Sequence, residues 1–196
     1  MKKLLTLTAI FILSQFLLFA QNDSQKLINW DVAISTGIPV HNSKPEATKS
    51  EILVSPSFKR IIFGAGADVV FNITEPLKLF AGTDTFCEFI WEDSNHYNSL
   101  DYSFYTGIKV FPNLAGFNFS VAYVLGSKAN FYKTEEVSST TENTAWGNGF
   151  RIAAEYDFFY GEEAKIYPIV GGYYRFMPRG NYEFDHILAA YVGLRF

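Results

Sequence analysis

The sequence contains a single cysteine, Cys87, which excludes an intrachain disulfide framework. Positive charge is also scarce, because 16 lysines and arginines stand against 20 aspartates and glutamates and the formal net charge is −4. A general nucleic-acid binder would carry a basic face, so that class of partner is excluded. Beyond residue 20, no apolar run approaches the length of a membrane-spanning helix.

Aromatic residues, in contrast, are abundant: the chain has 20 Phe, 12 Tyr and 3 Trp, and 48% of its residues are hydrophobic. The hydrophobic residues alternate along the chain with a period of two and do not gather in blocks. This combination favours a membrane β-barrel. A soluble secreted β-sandwich is the alternative.

Residues 1–20 have the pattern of a secretory signal peptide, since Lys2 and Lys3 precede an almost entirely apolar stretch that ends at Ala20. We predict cleavage after Ala20. A retained membrane anchor is the alternative, but the apolar stretch is shorter than the roughly 20 residues that span a bilayer. Residues 21–196 are then one domain with a net charge of −6, and the position of Cys87 argues against a lipoprotein.

Eight segments alternate between apolar and mixed side chains, as strands with one apolar face do. In the first segment, Trp30 and Val32 alternate with Asp31 and Ala33. Several segments have 12 residues or more, whereas a soluble strand usually has about 5–6 and a tilted membrane strand needs about 9–11. The sequence therefore predicts an all-β fold, an eight-stranded antiparallel up-and-down transmembrane β-barrel. The predicted strands cover residues 28–40, 60–73, 77–91, 100–111, 116–126, 150–158, 165–177 and 182–196.

The predicted connections at one end of the barrel differ in length from those at the other end. The long ones, 41–58 and 127–146, both follow odd-numbered strands, whereas short ones, 74–76, 112–114 and 160–163, follow even-numbered strands. The other odd-numbered connections, 92–99 and 178–181, are moderate and short. Outer-membrane barrels have short periplasmic turns and longer outer loops, so we expect both termini on the periplasmic side.

The chain ends on a large aromatic residue, with Val192, Leu194 and Phe196 on one face of the last strand. This ending resembles the sorting signal that the barrel-assembly machinery reads. With the alternation and the loop pattern, the whole chain resembles the small eight-stranded outer-membrane barrels of the class that includes OmpA, OmpX and OmpW. More weakly, it resembles small outer-membrane barrels of spirochaetes. The resemblance implies a bacterial outer-membrane location, with outer-membrane lipid and the assembly machinery as partners.

The inward faces of the predicted strands carry eight acids and six bases. An eight-stranded barrel is only just wide enough for its side chains, and buried charges must be paired. We therefore predict a packed, polar interior that holds the barrel shape; a narrow path that prefers cations is the alternative. Glycines on these faces leave room for large side chains such as Phe86, Tyr105 and Tyr173. The predicted charge network is Asp31, Asp68, Lys78, Asp84, Glu88, Asp101, Lys109, Arg151, Glu155, Asp157, Lys165, Arg175, Asp185 and Arg195.

The sequence predicts no catalytic site, no cofactor and no metal site. His41, His96 and His186 lie in or near loops or strand ends, and no serine and acid are spaced to complete a nucleophilic set. The first two histidines could reach the outer mouth, as in barrel acyltransferases, but surface histidines without a role are commoner. Cys87 is predicted to face lipid and to be inert.

We therefore predict an outer-membrane barrel with a structural or surface-interaction role through outer loops 41–58 and 127–146, which could bind a host or surface ligand. A second hypothesis is passage of small hydrophobic solutes, a property associated with OmpW-like barrels. It requires an apolar pocket near the outer mouth, for which Tyr105, Ile169 and Tyr173 are candidate lining residues. The soluble sandwich is the third hypothesis.

Overall fold

The computed structural model describes residues 27–42, 49, 52–53, 55–114, 116–135, 138–160, 166–180 and 183–196. The predicted signal peptide and Lys165 lie outside the described residues. Among the described residues, no helix is long and apolar enough to cross a membrane. The described chain forms nine strands: β1 (Ile28–Asn42), β2 (Lys59–Asn72), β3 (Leu77–Glu92), β4 (Asn95–Leu114), β5 (Phe117–Lys133), β6 (Thr140–Asn143), β7 (Gly147–Asp157), β8 (Tyr167–Gly180) and β9 (Glu183–Arg195).

Eight of these strands close into an antiparallel barrel. The order is β4-β3-β2-β1-β9-β8-β7-β5, and pairing of β4 with β5 completes the ring. The short strand β6 pairs with β5 alone. Around Phe196, two backbone hydrogen bonds with Trp30 tie the end of the chain to the start of β1. The predicted eight-stranded barrel is confirmed, and the soluble sandwich is wrong.

Between its two ends, the outward face of the barrel is predominantly apolar. Trp30 is 56% exposed, Phe104 53%, Tyr123 56% and Leu188 59%, values that a soluble protein would seldom tolerate over a whole sheet. Such a band of apolar and aromatic side chains is what a transmembrane barrel presents to lipid. We call this surface the apolar belt.

The inward faces follow the predicted alternation, including β8, where Ile169 and Tyr173 point into the barrel and are buried. Close approach explains some of the inward glycines. A Cβ on Gly82 would lie 2.0 Å from the Asp68 carboxylate and 2.8 Å from the Tyr105 ring. The small residue at this position therefore makes room for the tyrosine, as the sequence predicts.

The strands at the outer end are longer than predicted. β4 begins at Asn95, so the expected connection 92–99 reduces to a two-residue turn, Asp93 and Ser94. β5 continues to Lys133 and pairs with β6, so the predicted loop 127–146 is largely a hairpin. We call residues 95–100, 127–133 and 140–143 the outer extension. The extra strand residues are mostly polar, and their pairing comes from their neighbours in the sheet.

One further prediction needs correction. Gly116, the first residue of the predicted strand 116–126, lies instead in the turn before β5 with a φ of 98°, a conformation that favours glycine. Cys87 lies on the outward side, as predicted, opposite Phe63 and Leu100 in the sheet, and only 8% of it is exposed.

Candidate functional site

The interior near the chain termini contains a network of three acids and two bases, which we call the lower cluster. Arg195 donates two hydrogen bonds of 2.7 Å to Asp31, one of 2.7 Å to Glu155 and one of 2.7 Å to Asp157. Lys109 lies 3.2 Å from both Asp31 and Glu155. The five residues come from β1, β4, β7 and β9, so the network crosses the barrel interior from wall to wall.

Neutral donors complete the hydrogen bonding of the lower cluster. The Asn118 amide donates to Glu155 at 3.0 Å, and the Tyr191 hydroxyl donates to the same carboxylate at 2.9 Å. A buried ion pair contributes to stability only when its geometry is good and further hydrogen bonds satisfy the remaining lone pairs. Both conditions are met here, since every acid of the cluster contacts at least one cation.

A second network, the upper cluster, fills the interior toward the outer end. Arg175 is fully buried, and its guanidinium lies 3.1 Å from Asp84 and 2.5 Å from Asp101. Arg179 contacts Asp101 at 3.1 Å and also donates to Asp185. The carboxylates thus alternate with guanidinium groups from Asp84 to Asp185, and the chain of contacts leaves little room between them.

Three members of the upper cluster were not in the predicted network. Nδ1 of His41 donates to Asp185 at 2.5 Å, and Lys128 lies 3.4 Å from the same carboxylate. Arg179, which lies in the predicted connection 178–181, also donates to Asp185. Each of the three continues the inward phase of its strand beyond the predicted strand end. Following the alternation through the polar segments at the outer end would have found them.

Between the two clusters, Arg151 lies among aromatic rings. Its guanidinium carbon is 4.8 Å from the Tyr105 ring centroid and 4.3 Å from that of Tyr173, distances typical of cation–π contacts. A cavity of about 40 Å³ borders these groups, large enough for a few water molecules. Acids also line this cavity, among them Asp68, which accepts a 2.6 Å hydrogen bond from Tyr105.

This charged cavity differs from the apolar pocket that solute passage requires. Tyr105, Ile169 and Tyr173 do lie together, as predicted, but they border a cavity that Arg151 and Lys109 also line. The cavity lies inside the barrel between the two clusters and not at the outer mouth.

An apolar cap lies above the upper cluster. Ile52, from the connection between β1 and β2, packs with Ile90, Tyr97 and Tyr132, and these four side chains are at most 8% exposed. Below this cap, the buried Glu88 accepts a 2.9 Å hydrogen bond from Lys49 and contacts Arg60. Lys49 and Ile52 therefore lie over the mouth of the barrel and reduce access to the interior, whereas residues 43–48, 50–51 and 54 of the predicted loop 41–58 lie outside the described residues.

The remaining residues of the predicted network lie as follows. Lys78 points inward near the termini, with its ammonium 4.3 Å from the Phe111 ring centroid. Lys165 lies outside the described residues, so the structure does not place it. Twelve of the predicted residues therefore belong to the two clusters, the cavity between them or the Glu88 group below the cap: Asp31, Asp68, Asp84, Glu88, Asp101, Lys109, Arg151, Glu155, Asp157, Arg175, Asp185 and Arg195.

One carboxylate at the outer end has a perturbed pKa. Glu92 accepts hydrogen bonds from the Ser55 and Ser57 hydroxyls, and these bonds hold the pKa of Glu92 below its ordinary value of 4.5. The bonds stabilise the charged form, so their contribution is present above the ordinary pKa and is lost as the pH falls through the lowered one. Glu92 thus helps to hold residues 55–57 against the turn between β3 and β4.

The histidines occupy three different environments. Nδ1 of His41 is hydrogen-bonded to Asp185, and the same carboxylate forms an ion pair with Arg179. On the outward face, His186 is hydrogen-bonded to the Tyr174 hydroxyl at 2.5 Å and stacks on a phenylalanine ring. His96 lies in the outer extension. Within the described ranges, no group of three or more His, Cys, Asp or Glu side chains could hold a metal ion.

Comparison with known proteins identifies the fold. No family model matches the sequence, and neither does any curated protein. Among solved structures, the chain is similar to Ail, the attachment invasion locus protein of Yersinia pestis, with a TM-score of 0.56 and 9% identity over 86% of this chain and 97% of that one. Ail in complex with the heparin analogue sucrose octasulfate gives a TM-score of 0.55, also at 9% identity and with the same coverage. Neisserial surface protein A gives a TM-score of 0.50 and 12% identity over 87% of this chain and 98% of that one.

These similarities concern the fold, and the chain's own surface adds the environment. Only helices and closed barrels can span a bilayer, because every backbone polar group must be paired inside it. The closed sheet satisfies this condition, and the apolar belt provides the surface that lipid requires. The protein is therefore a small eight-stranded outer-membrane β-barrel.

Proposed function

We propose that the protein is a closed barrel that anchors and displays its outer extension as an interaction surface at the cell exterior. The observation that carries the proposal is the double obstruction of the interior, by the lower cluster around Arg195 and the upper cluster around Arg175. A wide permanent pore does not fit this interior, and eight strands enclose too little space for one. The barrel walls then serve as a rigid support for what projects above them.

The outer extension has the properties of a display element. β5 and β6 form a hairpin beyond the closed part of the barrel, and β6 has no second neighbour among the described strands. Phe131 is 41% exposed on this hairpin, and Trp146, just after it, is 53% exposed. Functional contacts are often carried by projecting segments on a rigid scaffold. The complex of Ail with a heparin analogue gives a precedent for ligand binding in a barrel of similar fold.

The proposal assigns no catalytic step to the barrel. Its support is the environment of His41, whose Nδ1 is occupied by Asp185, while Asp185 itself is neutralised by Arg179 and Lys128. A general base needs a nucleophile within hydrogen-bond reach, whereas the group hydrogen-bonded to Nδ1 of His41 is a carboxylate.

Conductance of the refolded protein in a planar bilayer tests the closed interior. We expect no current steps from a preparation that shows the unboiled-versus-boiled gel shift of a folded barrel. Reproducible steps from the folded protein would contradict the proposal. If a small hydrophobic solute also reduced those steps, the second hypothesis, solute passage, would replace it.

Adhesion of bacteria that display the protein tests the interaction surface. The probes are wells coated with a sulfated glycan, an unsulfated glycan or an extracellular-matrix protein, and the matched variant replaces residues 131–141 by Asn-Gly. This two-residue turn joins Asn130 and Glu142, which pair directly in the hairpin, so the strands below keep their register. We expect adhesion to at least one probe, lost in the trimmed variant. Equal adhesion by both proteins, or none above empty cells, would refute the role of the extension.

A further inference from the structure

The sheet register brings four residues from four strands into one row at the outer end of the barrel. Lys59 of β2 pairs with Trp91 of β3, Trp91 pairs with His96 of β4, and His96 pairs with Lys133 of β5. We call these four residues the basic row. Adjacent strands lie about 4.8 Å apart, so the two lysines stand roughly 14 Å from each other with the two rings between them.

All four side chains of the basic row belong to the outward face. The next outward positions below them are Ile61, Phe89, Asn98 and Phe131, which pair in the same way. Lys59 and Lys133 are exposed, whereas the two rings between them are half-buried. The row is thus a surface feature, in contrast to the buried clusters of the interior.

Carboxylates near the row are engaged elsewhere. Glu88 points inward to Lys49 and Arg60, Glu92 accepts from two serines, and Glu142 accepts from Tyr132. Among the described strand residues, the outward positions of the row and of the rung below it include no acid. The acids Asp93 and Glu135 lie in the turns beyond the row. Among the described strand residues, the two lysines therefore face outward with no carboxylate in their own row or in the rung below it.

The row continues directly from the apolar belt. On β2, Phe63 is 48% exposed and Ile61 is 51% exposed, and Lys59 is the next outward residue. The hydrocarbon layer that covers the apolar belt therefore ends near Lys59, and the headgroups of the outer leaflet begin at this level. Tryptophan is enriched at this level in membrane proteins, and Trp91 is the neighbour of Lys59 across the sheet.

From this juxtaposition we infer that the basic row binds the anionic headgroup of an outer-leaflet lipid. Phosphate is the matching chemistry, because an ammonium group near an anionic lipid surface gains free energy from it. Lys59 is next to the belt and contacts the headgroup first. Lys133 lies further along β5, since Ser127, Ala129 and Phe131 separate it from the exposed Leu125. This inference rests on the membrane location and not on ligand binding by the hairpin.

Quenching of Trp91 fluorescence by brominated lipids tests the inference at the site itself. The background carries Trp30→Phe and Trp146→Phe, so that Trp91 is the single tryptophan of the three. The refolded protein is placed in bilayers that contain brominated phosphatidylglycerol with ordinary phosphatidylcholine, or the reverse pair. The ratio of the quenching by brominated phosphatidylglycerol to the quenching by brominated phosphatidylcholine gives the preference for the anionic lipid around Trp91.

In low salt we expect a preference of about fivefold, the effect of one lysine close to an anionic surface. Lys59→Gln should remove most of it, and Lys133→Gln a smaller part. The double arginine variant, Lys59→Arg with Lys133→Arg, should keep it. Thr74→Asp, in a turn at the opposite end, changes the net charge in the same direction as a lysine-to-glutamine variant and should leave the preference unaltered.

Three results would overturn the inference: equal quenching by the two lipids, a preference that persists when Lys59→Gln and Lys133→Gln are combined, or loss of the preference in the double arginine variant. The gel shift confirms folding of each variant before it is measured. The outcome is independent of the adhesion assay, because bacteria could adhere through the hairpin whether or not a lipid binds at Trp91. Failure of one proposal is therefore distinguishable from failure of the other.

Discussion

Replacement of Arg175 by methionine should destabilise the barrel by about 3–5 kcal/mol, because it leaves buried carboxylates without their cation. In the folded protein, the guanidinium contacts Asp84 at 3.1 Å, Asp101 at 2.5 Å and the Ser103 hydroxyl at 2.8 Å. Methionine fills much of the same volume, so the loss is electrostatic and not a cavity effect. Asp101 keeps Arg179 as a cationic partner, whereas Asp84 keeps the hydrogen bond from the neutral Ser103 hydroxyl.

Equilibrium unfolding in urea from lipid bilayers measures this cost. The matched control is Val170→Met, an outward position on the same strand that is 37% exposed and should change stability by about 0.5 kcal/mol or less. The pair Arg175→Met and Asp84→Asn completes a double-mutant cycle. Since the asparagine is uncharged, the double variant should be more stable than the sum of the single changes predicts, by about 0.5–3 kcal/mol.

A cost below about 1 kcal/mol for Arg175→Met would refute the reasoning, because a removed buried ion-pair partner cannot be that cheap unless water enters. Additive single effects would refute it as well, since they would show that Arg175 and Asp84 do not interact. Either outcome would mean that the upper cluster is solvated and that the interior is more open than the contacts indicate.

Three further predictions concern the wall of the barrel. Val121→Arg places a charge in the apolar belt and should cost about 2–4 kcal/mol in urea unfolding if it lies near the bilayer midplane; a neutral effect would contradict the assignment of this face to lipid. Gly82→Ala should cost about 1–3 kcal/mol, because the new Cβ would displace Tyr105, and a stabilised variant would contradict the close packing. Deletion of Phe196 should reduce the amount of folded barrel in outer-membrane fractions, measured by gel shift, without preventing refolding in vitro; unchanged assembly in cells would count against the predicted assembly signal of Val192, Leu194 and Phe196.

The alternation of side chains was enough to predict the barrel and the direction of its faces. β1 shows why: Trp30 and Val32 face outward, and Asp31 is buried, as period two requires. The prediction stopped short in the outer extension, where Asn95 to Ser99 carry no apolar alternation. These residues are strand because β3 and β5 offer hydrogen-bonding partners on both sides, information that a local pattern does not contain.

The pairing inside the barrel was beyond reach for a similar reason. Asp31 and Arg195 are 164 residues apart, and they meet because β1 and β9 pair in the register that sets them opposite each other. A list of inward acids and bases is a property of the sequence, whereas the choice of partners depends on the register and on closure of the sheet. The same limit applies to the basic row, because only the register of four strands shows that Lys59, His96 and Lys133 lie side by side.

The two faces of the sheet treat charge in opposite ways, and this difference favours display over transport. In the interior, the clusters pair opposite charges over distances near 3 Å, so an ion that entered would have to break these ion pairs. At the outer end, Lys59 and Lys133 remain exposed and available to a partner. A barrel that conducts ions needs charged side chains in its interior that are not tightly paired. A barrel that binds a charged partner at its surface needs such side chains on the outside. This barrel has its available cationic charge on the outer surface, next to the lipid-facing belt.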